Sequence, residues 1–251
     1  MKRKNFLDND QAIIEPAREK TDPHLGPWAI MVATPLELSS IVTYSHAEKI
    51  AKNSAYPFKL FTVKKENGYP IGLAGPFLGA PQGVIVMEKL IALGAKKILV
   101  LGWCGSLQPD ILIGDYIIPT SALSEEGTSR HYPVTKKNIG TSAFLNNKLD
   151  DMLGKSCIMA NKGPIWTTDA IYRETENKVT AYSKKGILAV EMEMSALINL
   201  AAYRSVEMSG LLIVSDELFS LKWHHGFSGK KLKKKSIEAG RLLLNLCIDG
   251  R

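Results

Sequence analysis

Cysteine is scarce in this chain. Cys104, Cys157 and Cys247 are widely spaced and odd in number, so they form no disulfide framework and show no zinc-ligand spacing. A reducing, cytoplasmic setting is expected, with no metal. Long apolar runs are also missing: nothing approaches the ~18 residues of a membrane span. The start, Met1-Lys2-Arg3-Lys4-Asn5-Phe6-Leu7-Asp8-Asn9-Asp10, has a basic lead but lacks the apolar core of a secretory signal. No repeat, low-complexity tract or linker divides the sequence.

The charge balance is basic but modest, at +7. Much of it lies in Lys230, Lys231, Lys233, Lys234 and Lys235, with no aromatics interleaved. That pattern reads as a solvated face rather than a nucleic-acid surface, and no nucleic-acid or membrane partner is expected. What remains is an ordinary apolar fraction, 45% over 251 residues, which suits one large α/β domain or two small ones.

Residues 1–27 are polar and aperiodic, and read as an N-terminal arm preceding a domain over 28–251. Trp28 to Ala33 is a buried first strand by its unbroken apolar run. Thr34-Pro35-Leu36-Glu37 then reads as a helix start, with threonine as cap, proline in the first turn, and glutamate closing a reciprocal capping box. Pro57–Val63 and Tyr69–Gly75, joined through Glu66-Asn67-Gly68, read as a hairpin. A helix led by Gly79 to Gly83 closes at Gly94, and Lys96 to Gly102 is a further strand followed by a glycine-flanked turn, Gly102 to Gly105. Gly114–Pro119 is a strand, Ser142–Leu153 a helix, and the last helix runs from about Lys231 to Cys247. Five lysines at its start oppose the helix dipole, so either some belong to the preceding loop or an anion meets them. Strands alternating with helices predict a single-domain, three-layer α/β/α fold with a mostly parallel central sheet and ligands at the strand ends.

Two acid-bearing stretches organise the rest. Gly186 to Val190 reads as a buried strand, and Glu191-Met192-Glu193 leads from it into an apolar-periodic helix, Met194 to Ala202. Gly210 to Val214 reads as a second buried strand, followed by Ser215-Asp216. A carboxylate at such a strand end is costly to bury alone, so it should face a ligand, a cation or water. Two acids from two strand ends point to one pocket.

The Val-Glu-Met-Glu run with the later Ser-Asp resembles the nucleoside phosphorylase family, which includes purine nucleoside and uridine phosphorylases and methylthioadenosine-type nucleosidases. The resemblance covers Trp28 to the C-terminus. It implies that Glu193 grips the ribose 2′- and 3′-hydroxyls, a task open to any carboxylate, with Met192 packing on the sugar. Glu191 is open between supporting backbone and touching ligand. Asp216, oriented by Ser215, would protonate a purine at N7; capping a turn is its other reading. Ile171-Tyr172 falls where family members place the base. Pro23-His24-Leu25-Gly26 is similar to the segment by which relatives lend a histidine to a neighbouring subunit, although an exposed arm histidine fits its spacing better.

The nucleophile half departs from the phosphorylase pattern. The arginine of the family's first phosphate turn is Glu37 here, the second arginine falls on Val100, and the phosphate-binding hydroxyl on Trp103. Two cations are lost and one anion gained. At ~4 Å and an effective dielectric of ~20, each unit charge pair is worth about 4 kcal/mol, ample to exclude an anion. Nucleosidases of the family place a glutamate at the Glu37 position and use it to activate water; completing the capping box is the alternative role. The resemblance therefore implies a nucleoside-cleaving enzyme, purine-type favoured, with water as attacker and no cofactor. Inorganic phosphate is a disfavoured co-substrate. Phosphorolysis through Arg130, Arg173 or the Lys230 cluster is the second reading, and a non-catalytic nucleoside-binding protein the third. A homo-oligomer, dimer or hexamer, is implied by the same resemblance.

Overall fold

The structure, a computed structural model, describes residues 12–50, 58–66, 68–135 and 138–250. Among these residues one sheet contains ten strands: β1 (Trp28–Val32), β2 (Glu48–Lys49), β3 (Lys59–Val63), β4 (Ile71–Gly75), β5 (Lys97–Ser106), β6 (Tyr116–Glu125), β7 (Ala160–Thr168), β8 (Ala189–Glu191), β9 (Glu207–Glu217) and β10 (His224–His225). Six α-helices flank it: α1 (Pro35–Ser45), α2 (Ala80–Leu93), α3 (Ala143–Lys155), α4 (Glu176–Ser183), α5 (Met194–Arg204) and α6 (Lys230–Asp249).

The spatial order is β10-β9-β6-β7-β8-β5-β1-β4-β3-β2, and β9 also pairs with β5. The strands β5, β9, β6, β7 and β8 therefore close into a ring, from which β1 and the β3–β4 hairpin extend. The pairings β4–β1–β5–β9 are parallel, and every residue of β1 is buried, as its apolar run implies. Alternation along β5 sends Ile98 and Val100 to the face covered by α2 and α5, and Leu99 and Leu101 to the face covered by α1, α3 and α6. The result is the expected three-layer α/β/α arrangement.

Most elements match the sequence reading, with three corrections. Gly102 to Gly105 is no turn: β5 continues through it to Ser106, because Gly105 and Ser106 pair with β8 while the same stretch stays paired with β9. Asp216 does not follow its strand but lies within β9. Helix α1 does begin with Pro35 in its first turn, yet Thr34 makes no side-chain cap bond, so the capping box does not form. The five lysines all fall within α6. Lys231 lies 3.9 Å from Asp115 and Lys235 2.7 Å from Glu238, so acids of the protein supply countercharge there.

Residues 1–11 of the expected arm lie outside the described residues. Residues 12–27 hold no helix or strand, but they are anchored to the sheet's α2 side. The Leu25 N–H donates to the Leu93 carbonyl at 2.8 Å, and Asp22 pairs with Lys89 at 2.7 Å with both side chains 4% exposed. Removing one partner of such a pair strands a buried charge, which costs about 3–5 kcal/mol. Lys89→Met should lower stability by about 3 kcal/mol in chemical denaturation, and adding Asp22→Leu should restore most of it.

Candidate active site

The cleft lies where the strands of the ring end. Gly105 pairs with Val190 of β8 and with Asp216 of β9, placing both acid-bearing stretches on either side of one β5 residue. A Cβ there would lie 2.5 Å from Leu218 Cδ1 and 2.9 Å from Asp216 Oδ2, so both side-chain ends would have to shift to admit one. The β5–β9 register shifts between Cys104 and Gly105, leaving Ser215 as the extra residue of a bulge. Bulges re-aim side chains beside functional sites. Here Ser215 Oγ lies 2.6 Å from Asp216 Oδ1, to which it donates, and 3.3 Å from the Cys104 carbonyl. The second oxygen of Asp216 accepts from Trp223 Nε1 at 3.0 Å.

Glu191 and Glu193 have different surroundings. Both oxygens of Glu191 are engaged: one accepts from Thr167 Oγ1, the other from the Glu193 and Met194 N–H groups at 2.7 Å each. Glu191 thus caps α5, and of its two readings the backbone-supporting one is what the geometry displays. Glu193 crosses to the other helix and accepts from the Gly79 N–H at 2.5 Å, at the start of α2. Gly79 reaches this position with φ +81°, a conformation open chiefly to glycine. Two helix N-termini therefore flank the Glu193 carboxylate and favour its charge. Burial nevertheless pushes both acids above the usual carboxylate range, and for Glu193 the charge of Glu191 adds to it. Met192, between them, is half-buried.

Glu37 faces inward rather than back to Thr34. It is 0% exposed, and one of its oxygens accepts from Trp103 Nε1, which also lies 3.1 Å from Ser236 Oγ of α6. The other oxygen and the Thr34 hydroxyl have no partner among the described residues. Burial holds the Glu37 carboxyl above its ordinary value, opposed by hydrogen bonds from Ser236 and Trp103. Val100, where the family carries an arginine, is buried in the core and offers no donor. Trp103 stacks on Phe227 with ring centroids 5.8 Å apart, and Phe227 in turn meets Trp223 and His225. These aromatics form one wall of the cleft.

Ile171 is half-exposed, and Tyr172 is 96% exposed. His24 lies elsewhere, its ring 4.9 Å from that of Tyr69. Three contributors escape a sequence reading. Trp223 and Phe227 sit in an aperiodic stretch, and Glu174 follows the base-segment turn Ile171–Arg173. Glu174 is half-buried, and burial together with the charge of Asp216 raises it to about 7. Its position just after Ile171-Tyr172 is the one signal that could have found it.

Residues 27–247 match the family described as the Phosphorylase superfamily. The chain belongs to the nucleoside phosphorylase family. It is 34% identical over 153 residues to a purine nucleoside phosphorylase DeoD-type of Caldanaerobacter subterraneus subsp. tengcongensis, covering 60% of this chain and 66% of that relative. It is 26% identical over 190 residues to a guanosine phosphorylase of Halorubrum lacusprofundi, covering 76% and 78%. Among solved structures, uridine phosphorylase from Vibrio fischeri superposes with a TM-score of 0.78 at 22% identity, over 95% of this chain and 99% of that one. Purine nucleoside phosphorylase from Toxoplasma gondii in complex with immucillin-H gives 0.80 at 22% identity, over 95% and 98%. These two likenesses establish the shared fold.

Trp103→Phe keeps the ring but removes the donor to Glu37. The stranded carboxylate should cost about 1–3 kcal/mol, read by denaturant unfolding. Because the folded-state value of Glu37 is raised, its ionised form opposes folding at high pH. The deficit should be full above that raised value and shrink as pH falls through it toward the ordinary carboxylate range.

Proposed function

We propose that this protein cleaves the N-glycosidic bond of a nucleoside, preferring a purine-type base, with water as the attacking group. The observation that carries this reading is electrostatic. Glu37, Glu174, Glu191, Glu193 and Asp216 gather at one cleft, and none forms an ion pair with a lysine or arginine among the described residues. Such a cleft favours a neutral substrate and the positive charge that develops on ribose as the bond breaks, and it opposes a phosphate dianion.

Three of these acids have a role in this mechanism. Glu193, fixed by the Gly79 N–H, accepts the ribose 2′- and 3′-hydroxyls, with Met192 against the sugar. Asp216, held by Ser215 and Trp223, delivers a proton to N7, so that the base leaves neutral. Glu37 has one oxygen oriented by Trp103 and the other unpartnered, the arrangement of a positioned general base for water. Ile171 and Tyr172 border the base. Tyr172 at 96% exposure and Leu78 at 72% flank the cleft as uncovered apolar surface, which supports a homo-oligomer in which a second subunit covers them. Among the described residues no helix is long and apolar enough to cross a membrane.

Phosphorolysis is the second reading, favoured by the names of the relatives, purine nucleoside phosphorylase and guanosine phosphorylase. Incubating a nucleoside panel with and without inorganic phosphate separates the two. Phosphate-independent release of free ribose supports hydrolysis, whereas phosphate-dependent ribose 1-phosphate overturns it in favour of phosphorolysis. Saturable binding with neither product would leave a nucleoside-binding protein.

Two variants test the assignments. Glu193→Ala should cut nucleoside affinity at least about tenfold, the worth of charge-assisted hydrogen bonds, while leaving binding of the free base unchanged in calorimetry. Glu37→Gln keeps an acceptor for Trp103 but no base. It should reduce kcat by about 10²–10⁴-fold with a Tm no lower than that of the wild type; full turnover would reduce Glu37 to a structural role.

A further inference from the structure

Five lysines open α6, where the helix dipole disfavours cations and calls for anions near them. Two of the five have one: Lys231 has Asp115 and Lys235 has Glu238. Lys230, Lys233 and Lys234 form no ion pair among the described residues, nor does Arg241 further along the helix. These four cations line one open groove of about 580 Å³. Its apolar part is made by Ile237 and Leu242, both half-buried. The acid beside them, Glu238, is already taken by the Tyr116 hydroxyl at 2.8 Å and Lys235 at 2.7 Å.

Positions 230, 233, 234, 237, 241 and 242 recur at helical spacing, so they share one face of α6 over about 18 Å. No second element contributes a lining side chain. A small ligand would therefore be covered on one side only, unlike the mostly enclosed ligands of pockets. An apolar stripe rimmed by charge is instead the surface that an amphipathic helix covers. A second copy docking by the same face would set like cations against each other. Nucleic-acid bases would find no aromatic side chain in the groove to stack on, and a membrane surface would find none inserted into it.

We propose that this face of α6 docks an acidic amphipathic helix of a partner protein. The apolar residues of that helix cover Ile237 and Leu242, and its carboxylates meet Lys230, Lys233, Lys234 and Arg241. Arg241 is steadied for this by Tyr44 of α1, with its guanidinium 4.9 Å from the ring centroid.

The probe is a fluorescent synthetic peptide with leucines at helical spacing and glutamates on both flanks, titrated with the full chain and followed by anisotropy. A scrambled peptide of equal composition, anionic phospholipid vesicles and a single-stranded oligonucleotide are tested beside it. The patterned peptide should bind saturably and at least about tenfold tighter than the scrambled one. Lys233→Glu combined with Lys234→Glu should weaken it by about 10- to 100-fold, and Ile237→Ala by about 5- to 30-fold. Acids near a helix start suit its dipole, so the double variant should have a Tm no lower than that of the wild type. Equal binding of the two peptides, or variants that bind like the wild type, would reduce the effect to bulk charge attraction and overturn the proposal. Lack of saturable peptide binding, or a preference for the vesicles or the oligonucleotide, would overturn it as well.

Discussion

The cleft depends on three strands meeting at residue 105. Strand β5 is held by β9 along its length and by β8 at its end, and at Gly105 both neighbours meet the same residue. A Cβ there would press on the ends of the Asp216 and Leu218 side chains, which would have to shift. Closure of the five-strand ring at this point brings two acid-bearing stretches distant in sequence to either side of one residue. The bulge at Ser215 is the second half of the device, since it re-aims Asp216 toward Trp223.

Buried carboxylates need compensation, and for Glu191 and Glu193 this fold supplies it from backbone rather than from cations. Glu191 holds the first N–H groups of α5, and Glu193 reaches the first turn of α2. Fixed dipoles of this kind lower the cost of burying charge without neutralising it. The cleft therefore stays electronegative, which suits a sugar that becomes cationic as its bond to the base weakens. Asp216 lacks such a helix end and takes Ser215 and Trp223 side chains instead.

The departures from the phosphorylase pattern are coupled in space. A glutamate at position 37 and a tryptophan at position 103 look like two separate losses in sequence. In the structure they are one contact, the indole N–H meeting the carboxylate with Ser236 alongside. The indole also anchors an aromatic wall through Phe227 and Trp223. What has replaced the usual anion site is a built arrangement with its own hydrogen bonds.

Much of this was legible beforehand. Unbroken apolar runs gave β1, β5 and β9, helical periodicity gave α5 and α6, and Gly94 closed α2, because burial and backbone freedom are local demands that residue type answers directly. The acids Glu193 and Asp216 stood out as charges adjoining buried strands. The capping box failed because a local pattern, Thr34 with Glu37, was outweighed by a partner 66 residues away. The turn at Gly102–Gly105 failed because glycine there serves strand closure rather than chain reversal. Glu174 was invisible because an acid in a loop gains meaning only from what faces it. By itself the sequence determined the order of the elements, the layered fold and the two acidic stretches. Tertiary structure alone decided which acids share a cavity, which are already satisfied and which are left for a ligand, since hydrogen-bond partners and burial are set by contacts between distant residues.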